Sequence, residues 1–145
     1  MMFLLDTNVV SELRKARAGR ADKNVAAWAA GVSAASMFVS VITIQELEIG
    51  VLLAERCDPP QGEVLRRWLV EQVLPAFGER VLPVDAAVAR RSAPLHVPDP
   101  RPVRDSLIAA TALVHGLSVV TRNVAGFAPT GVEVIDPWRT ADEVV

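Results

Sequence analysis

The feature that most constrains this chain is a series of very short apolar runs, each ended by polar or turn-forming residues. Phe3-Leu4-Leu5 stops at Asp6-Thr7-Asn8, Met37 to Val41 leads to Thr43, Val81-Leu82-Pro83-Val84 leads to Asp85, and Leu117 to Thr121 leads to Asn123. Runs of this length bounded by turn signals read as buried strands. Helical spacing fills the gaps between them. Val9, Val10 and Leu13 form one stripe, and the Ala-rich stretch Val25 to Ala34 carries Trp28. Thr43 opens a helix running to about Glu55, with Ile44, Leu47, Val51 and Ala54 on one face. Pro59-Pro60 ends it, Val64 to Val73 forms another helix closed by Pro75, and Asp85 to Ser92 a short one. Asp105 to His115 reads as a buried helix ending at Gly116. Val132 to Ile135 adds a fifth strand, and Arg14 to Asn24 reads as a loop. Pro94, Pro98, Pro100 and Pro102 enforce an extended loop, because proline lacks the N–H and restricts its predecessor. Short strands alternating with helices predict a mainly parallel sheet of four to five strands covered on both faces, a three-layer α/β/α architecture in one domain over residues 1–145.

The totals narrow the function. A chain of 145 residues buries roughly 68–70% of the surface its unfolded form exposes, so it needs no covalent staples. The single Cys57 excludes an intramolecular disulfide and favours a reducing compartment. Asp6 interrupts the N-terminal apolar stretch too early for a secretory signal, and no apolar run reaches the ~18 residues of a membrane span. The expectation is a cytoplasmic protein with no membrane partner. A net charge of −2 argues against a general nucleic-acid coat protein. It leaves room for a nuclease whose acids are concentrated at one site and ringed by bases such as Arg14, Lys15, Arg17 and Arg20. The 51% hydrophobic fraction fits a two-faced core, or an apolar surface covered by a partner.

Four polar residues then stand out. Asp6 lies between a strand and a helix, where an Asp ordinarily accepts hydrogen bonds as an N-cap. Thr43-Ile44-Gln45-Glu46 fits a capping box, Asp105 stands where a helix begins, and Asn123 follows a strand as a common turn residue. Taken together they admit another reading. Ligands of open parallel sheets bind outside the carboxyl ends of the strands. Asp6, Glu46 and Asn123 follow strands at that edge, and Asp105 begins the helix leading into the fourth strand. Two carboxylates ~4 Å apart repel by roughly 4 kcal/mol at an effective dielectric of 20. A divalent cation relieves that repulsion, and hard oxygen ligands suit Mg²⁺ or Mn²⁺.

The arrangement resembles the PIN-domain family, in particular the VapC/FitB-like toxins, over nearly the whole chain. The matching residues are Leu4-Leu5-Asp6-Thr7-Asn8 with Ser11-Glu12-Leu13, then Ser40 to Gly50 with Thr43, Glu46, Leu47 and Gly50. Asp105 to Ala112 and Thr121-Arg122-Asn123 with Phe127 complete the pattern. The resemblance implies a Mg²⁺- or Mn²⁺-dependent endoribonuclease of a toxin–antitoxin pair, with RNA as substrate, a VapB-like antitoxin as partner and a homodimeric state. It assigns the metal to Asp6, Glu46 and Asp105, and a fourth catalytic position to Asn123, with the Thr121 hydroxyl orienting the acids. Arg122 and the bases near Arg14 are placed to meet RNA phosphates. Relatives with Thr-Arg-Asn usually carry an Asp just before the Phe, where this chain has Gly126. A second metal is then expected to bind weakly, and a catalytically weakened PIN domain acting as a protein-binding module is the alternative. A small-molecule phosphohydrolase is disfavoured, since Asp6 is followed by Thr7-Asn8 rather than x-Asp. His96 and His115 are too isolated for a zinc site, Cys57 reads as inert, Glu48 faces away from Glu46 on its helix, and Trp28 and Trp68 read as core or interface residues.

Overall fold

The computed structural model describes residues 1–140, so residues 141–145 of the expected domain lie outside the described part. Five strands, β1 (Phe3–Leu5), β2 (Met37–Ser40), β3 (Val81–Leu82), β4 (Ser118–Val120) and β5 (Val134–Ile135), form one sheet in the order β3-β2-β1-β4-β5. Every pairing is parallel. The chain moves outward from β1 through β2 to β3, then crosses to β4 and β5. The switch of direction therefore falls beside β1, between it and β4. Phe3 pairs with Met37 on one side and Ser118 on the other, so the three central strands start level.

Both faces of the sheet are apolar because strand side chains alternate. Phe3, Leu5, Val39 and Val120 point to one face, and Leu4, Phe38, Val119 and Val134 to the other. The first face is covered by α1 (Thr7–Leu13), α2 (Lys23–Ala30), α3 (Val41–Cys57), α4 (Pro59–Trp68) and α5 (Leu74–Phe77). They bring Val9, Val10, Leu47, Val51 and Phe77, and also Trp28, whose ring meets Phe3 edge-on at 5.3 Å. The second face is covered by α7 (Val103–His115) and α8 (Val124–Phe127), through Ile108, Ala109, Ala112 and Phe127; α6 (Ala86–Ser92) packs on α7. The small residues of α7 let that helix lie close to β4. The three-layer α/β/α architecture read from the sequence is therefore present, with five strands. No helix among the described residues is long and apolar enough to cross a membrane.

Several boundaries differ from the sequence reading, each for a local reason. Asp22 accepts from the N–H groups of Asn24 and Val25 at 2.9 and 3.1 Å, so α2 starts before Val25 and stops at Ala30. Residues Arg14–Ala18 continue α1 as a 3₁₀ turn rather than a loop, ended by Gly19 at φ +67°. Pro59 and Pro60 open α4 instead of merely ending α3, because the first helical turn has no use for the missing N–H. Pro75 does not close that helix either. The turn before it widens to a π-helix over Leu69–Val73, with the Leu74 N–H bonded to the Leu69 carbonyl, and the chain continues as α5. The proline loop is not wholly extended, since Ala93–His96 forms a 3₁₀ turn.

α3 and α4 cross very closely at Gly62. A Cβ there would collide with the backbone of Glu55 and lie 2.7 Å from its Cγ. Arg66 ties the same pair, bonding Glu48 at 2.5 Å and Glu55 at 3.0 Å, which accounts for the outward-facing Glu48. Gly62→Ala should gain about 1 kcal/mol of helix propensity and lose more to overpacking, about 1–3 kcal/mol. The expected net result is a melting temperature lowered by several degrees in a thermal scan; an unchanged or raised value would show that the helices separate freely.

Candidate active site

Asp6 is the first residue beyond β1, and its own N–H still bonds the Val120 carbonyl at 2.9 Å. That bond fixes the residue at the carboxyl edge beside the switch point. Its side chain caps α1, as the isolated reading expected, with Oδ1 accepting from Thr7 N at 2.8 Å. Oδ2 does more. It accepts from the Thr121 hydroxyl at 2.8 Å and from Asn8 Nδ2 at 3.3 Å. Thr121 is fully buried just past β4, and its Oγ1 also receives the Asn123 N–H at 3.0 Å. Asn8 completes the brace by accepting the Arg122 N–H at 3.2 Å. The carboxylate is 7% exposed and held from three sides.

Glu46 comes from α3. The helix begins at Val41, capped by Ser40 Oγ accepting from Ile42 N at 3.0 Å, so Thr43 is not the cap and Glu46 closes no capping box. Its Oε1 instead accepts from the Thr7 hydroxyl at 2.9 Å, and its Oε2 lies 4.0 Å from a guanidinium nitrogen of Arg104. Asp105 sits in the first turn of α7, which begins at Val103, so it is not the N-cap either. No described residue hydrogen-bonds its carboxylate.

The three acids feel one another. Burial pushes the Glu46 carboxyl above the ordinary range against the lowering effect of the Thr7 bond; the negative charges of Asp6 and Asp105 push the same way and Arg104 opposes. Burial likewise raises Asp105, helped by Asp6. Both shifts come first from burial, and the neighbouring anions add to it. Among the described residues no three His, Cys, Asp or Glu form a ready-made metal cage. The donor chemistry still fits Mg²⁺ or Mn²⁺: the oxygens are hard and anionic, Asp105 has no hydrogen-bond partner among the described residues, and Mg²⁺ usually keeps several waters while using one or two carboxylates.

Asn123 is near this group by its backbone. Its side chain turns away to cap α8, with Oδ1 accepting from Gly126 N at 3.3 Å. The two residues are matched: a Cβ at position 126 would sit 2.9 Å from Asn123 Cγ. The missing acid at 126 and the conformation of Asn123 are thus one feature. Sequence reasoning gave no separate role to Thr7, Asn8 or Arg104. Adjacency to Asp6 and Asp105 was the available signal, but the partners across the sheet were not visible in a linear pattern. Arg122 lies 5.2 Å over the Trp138 ring.

A parallel α/β/α sheet with acids gathered at the carboxyl end of its first strand defines a class of protein, and the comparisons agree with it. The PIN domain model matches residues 3–128, and this chain belongs to the PIN domain family. It is 37% identical to the "VapC ribonuclease Y4jK" of Sinorhizobium fredii, across 97% of this chain and all of that one. It is 36% identical to "Toxin FitB" of Neisseria gonorrhoeae, across 95% and 99% of the two chains. Among solved structures, FitAcB from Neisseria gonorrhoeae superposes with a TM-score of 0.86 at 34% identity, across 96% of this chain and 100% of that one.

Proposed function

We propose that this chain is a Mg²⁺- or Mn²⁺-dependent endoribonuclease, the VapC-type toxin of a cytoplasmic toxin–antitoxin pair, restrained by a VapB-like antitoxin. The observation that carries this reading is that three separate segments bring acids to one sheet edge: Thr7 bonds both Asp6 and Glu46, and Arg104, the neighbour of Asp105, reaches Glu46. The relatives named as ribonuclease and toxin, aligned from end to end, support the same conclusion.

Asp6, Glu46 and Asp105 would hold the ion, which when bound lowers the pKa of water and stabilises charge on phosphoryl oxygens. The protein supplies the rest. Thr121 and Asn8 lock the Asp6 carboxylate in place. Thr7 fixes one oxygen of Glu46, leaving the other, which faces Arg104, to orient the attacking water. Arg104 places a cation beside Glu46, where a phosphodiester would carry its charge. Exposed Leu52 and Leu53 on α3, with Val64 on α4, support the homodimer.

A defined RNA incubated with purified protein should be cut in Mn²⁺ and spared in a chelator. Cleavage that persists in the chelator, or none with either ion, would overturn the reading. Thr121→Val removes the hydroxyl donor to Asp6 and is expected to weaken Mn²⁺ binding about tenfold in calorimetry, with about 1–2 kcal/mol of stability lost. Unchanged affinity would mean that Asp6 needs no brace.

A further inference from the structure

A cavity of about 250 Å³ adjoins Glu46, with Thr7, Ser11, Arg14, Glu46, Gly50 and Trp68 in its wall. It shares Thr7 and Glu46 with the site above, so whatever enters it lies next to the reacting group. Its far wall is different in character. Trp68 ends α4 and Arg14 follows α1, with the guanidinium carbon 6.0 Å from the indole centroid. The surface continues past both residues into recesses bordered by Arg17, Arg67 and Gln72.

Trp28 packs against the core, edge-on to Phe3. Trp68, like Trp28, is half-buried against the core and lines open space, but the space beside Trp68 is the one that reaches Glu46. An indole face covered only by a guanidinium that can swing off it to a phosphate, in the same cavity wall as Glu46, matches the chemistry of an unstacked base and its phosphate. The charge balance favours this as well. A chain with net charge −2 and an acidic centre gains little from general phosphate attraction, so affinity for RNA must come from local contacts.

We propose that Trp68 and Arg14 form a nucleobase subsite for single-stranded RNA, the indole stacking on the base next to the scissile phosphate and the guanidinium meeting the neighbouring phosphate. This rests on the ribonuclease reading and adds where the substrate lies. The test compares an RNA carrying a mapped cut site with the same RNA made abasic at the nucleotide beside it. With the native protein the abasic change should raise KM about tenfold and leave kcat nearly unaltered. Trp68→Leu should show that same rise on intact RNA and no further penalty on the abasic one, while Trp68→Phe recovers most of the affinity. In chelator, where cleavage is silent, single-stranded RNA should quench more tryptophan emission in the native protein than in Trp68→Phe. An equal abasic penalty in native and Trp68→Leu proteins, or equal quenching, overturns the subsite and leaves the cavity to a protein partner. Absence of any cutting by native protein, with the quenching difference intact, would instead remove the ribonuclease reading.

Discussion

Asp6→Asn is expected to lower RNA cleavage in Mn²⁺ by roughly 10³-fold while the circular dichroism spectrum stays that of the native protein. The loss is large because Asp6 contributes the most immobilised charge of the three acids. Its Oδ2 is gripped by Thr121 and Asn8, and its Oδ1 by the α1 backbone. The amide keeps the shape and removes the anion. It also turns one acceptor into a donor: with Oδ1 still on Thr7 N, the new NH₂ faces the NH₂ of Asn8, a donor–donor contact costing about 1–2 kcal/mol. That cost is offset in the metal-free protein, because the Asp6 charge no longer opposes ionisation of Glu46 and Asp105. Melting temperature should consequently move little without metal and fall behind the native protein once Mn²⁺ is added. Full cleavage by the purified variant would place the chemistry elsewhere.

The layer order of the fold could be read from the chain, because it depends on local patterns, whereas the acids stood out only when placed together at the sheet edge. Phe3-Leu4-Leu5 can only be a buried strand, and the small side chains from Ala109 to Ala112 can only belong to a close-packed helix. The errors fall where one segment's conformation is decided by another. Thr43-Ile44-Gln45-Glu46 reads as a capping box on its own, yet Ser40 takes the cap and Glu46 is drawn to Thr7, 39 residues earlier. Pro75 reads as a stop, yet burial of Leu69 and Val73 against the sheet carries the helix on through a π turn. Asn123 reads as a site residue by position, while its side chain answers to Gly126 three residues on. At Thr43 and Pro75 tertiary packing overrode a legitimate local reading, while at Asn123 the choice is itself local, the cap of α8.

The pH dependence of stability should carry the imprint of the same acids, with a sign opposite to that of ordinary ion-paired carboxylates. Glu46 and Asp105 have their pKa values raised on folding, from ordinary values of 4.5 and 3.8. In the window between those values and the raised ones the folded protein holds more protons than the unfolded chain. Stability contributed by these groups is therefore greatest in acid and declines as pH rises through that window. Carboxylates with lowered values, such as Glu55 beside Arg66, slope the other way, so the effect is isolated by difference. Metal-free Glu46→Gln should lose less stability than the native protein between mildly acidic and neutral pH, and Asp105→Asn likewise. Mn²⁺ reverses the native behaviour, because it binds the ionised acids: at 100 times its dissociation constant it should add roughly 2.7 kcal/mol at neutral pH, and clearly less in acid, where protons compete. Thermal scans at two pH values with and without Mn²⁺ measure this directly. A metal-induced gain equal at both pH values, or one retained in Glu46→Gln and Asp105→Asn together, would mean that the ion binds away from these carboxylates.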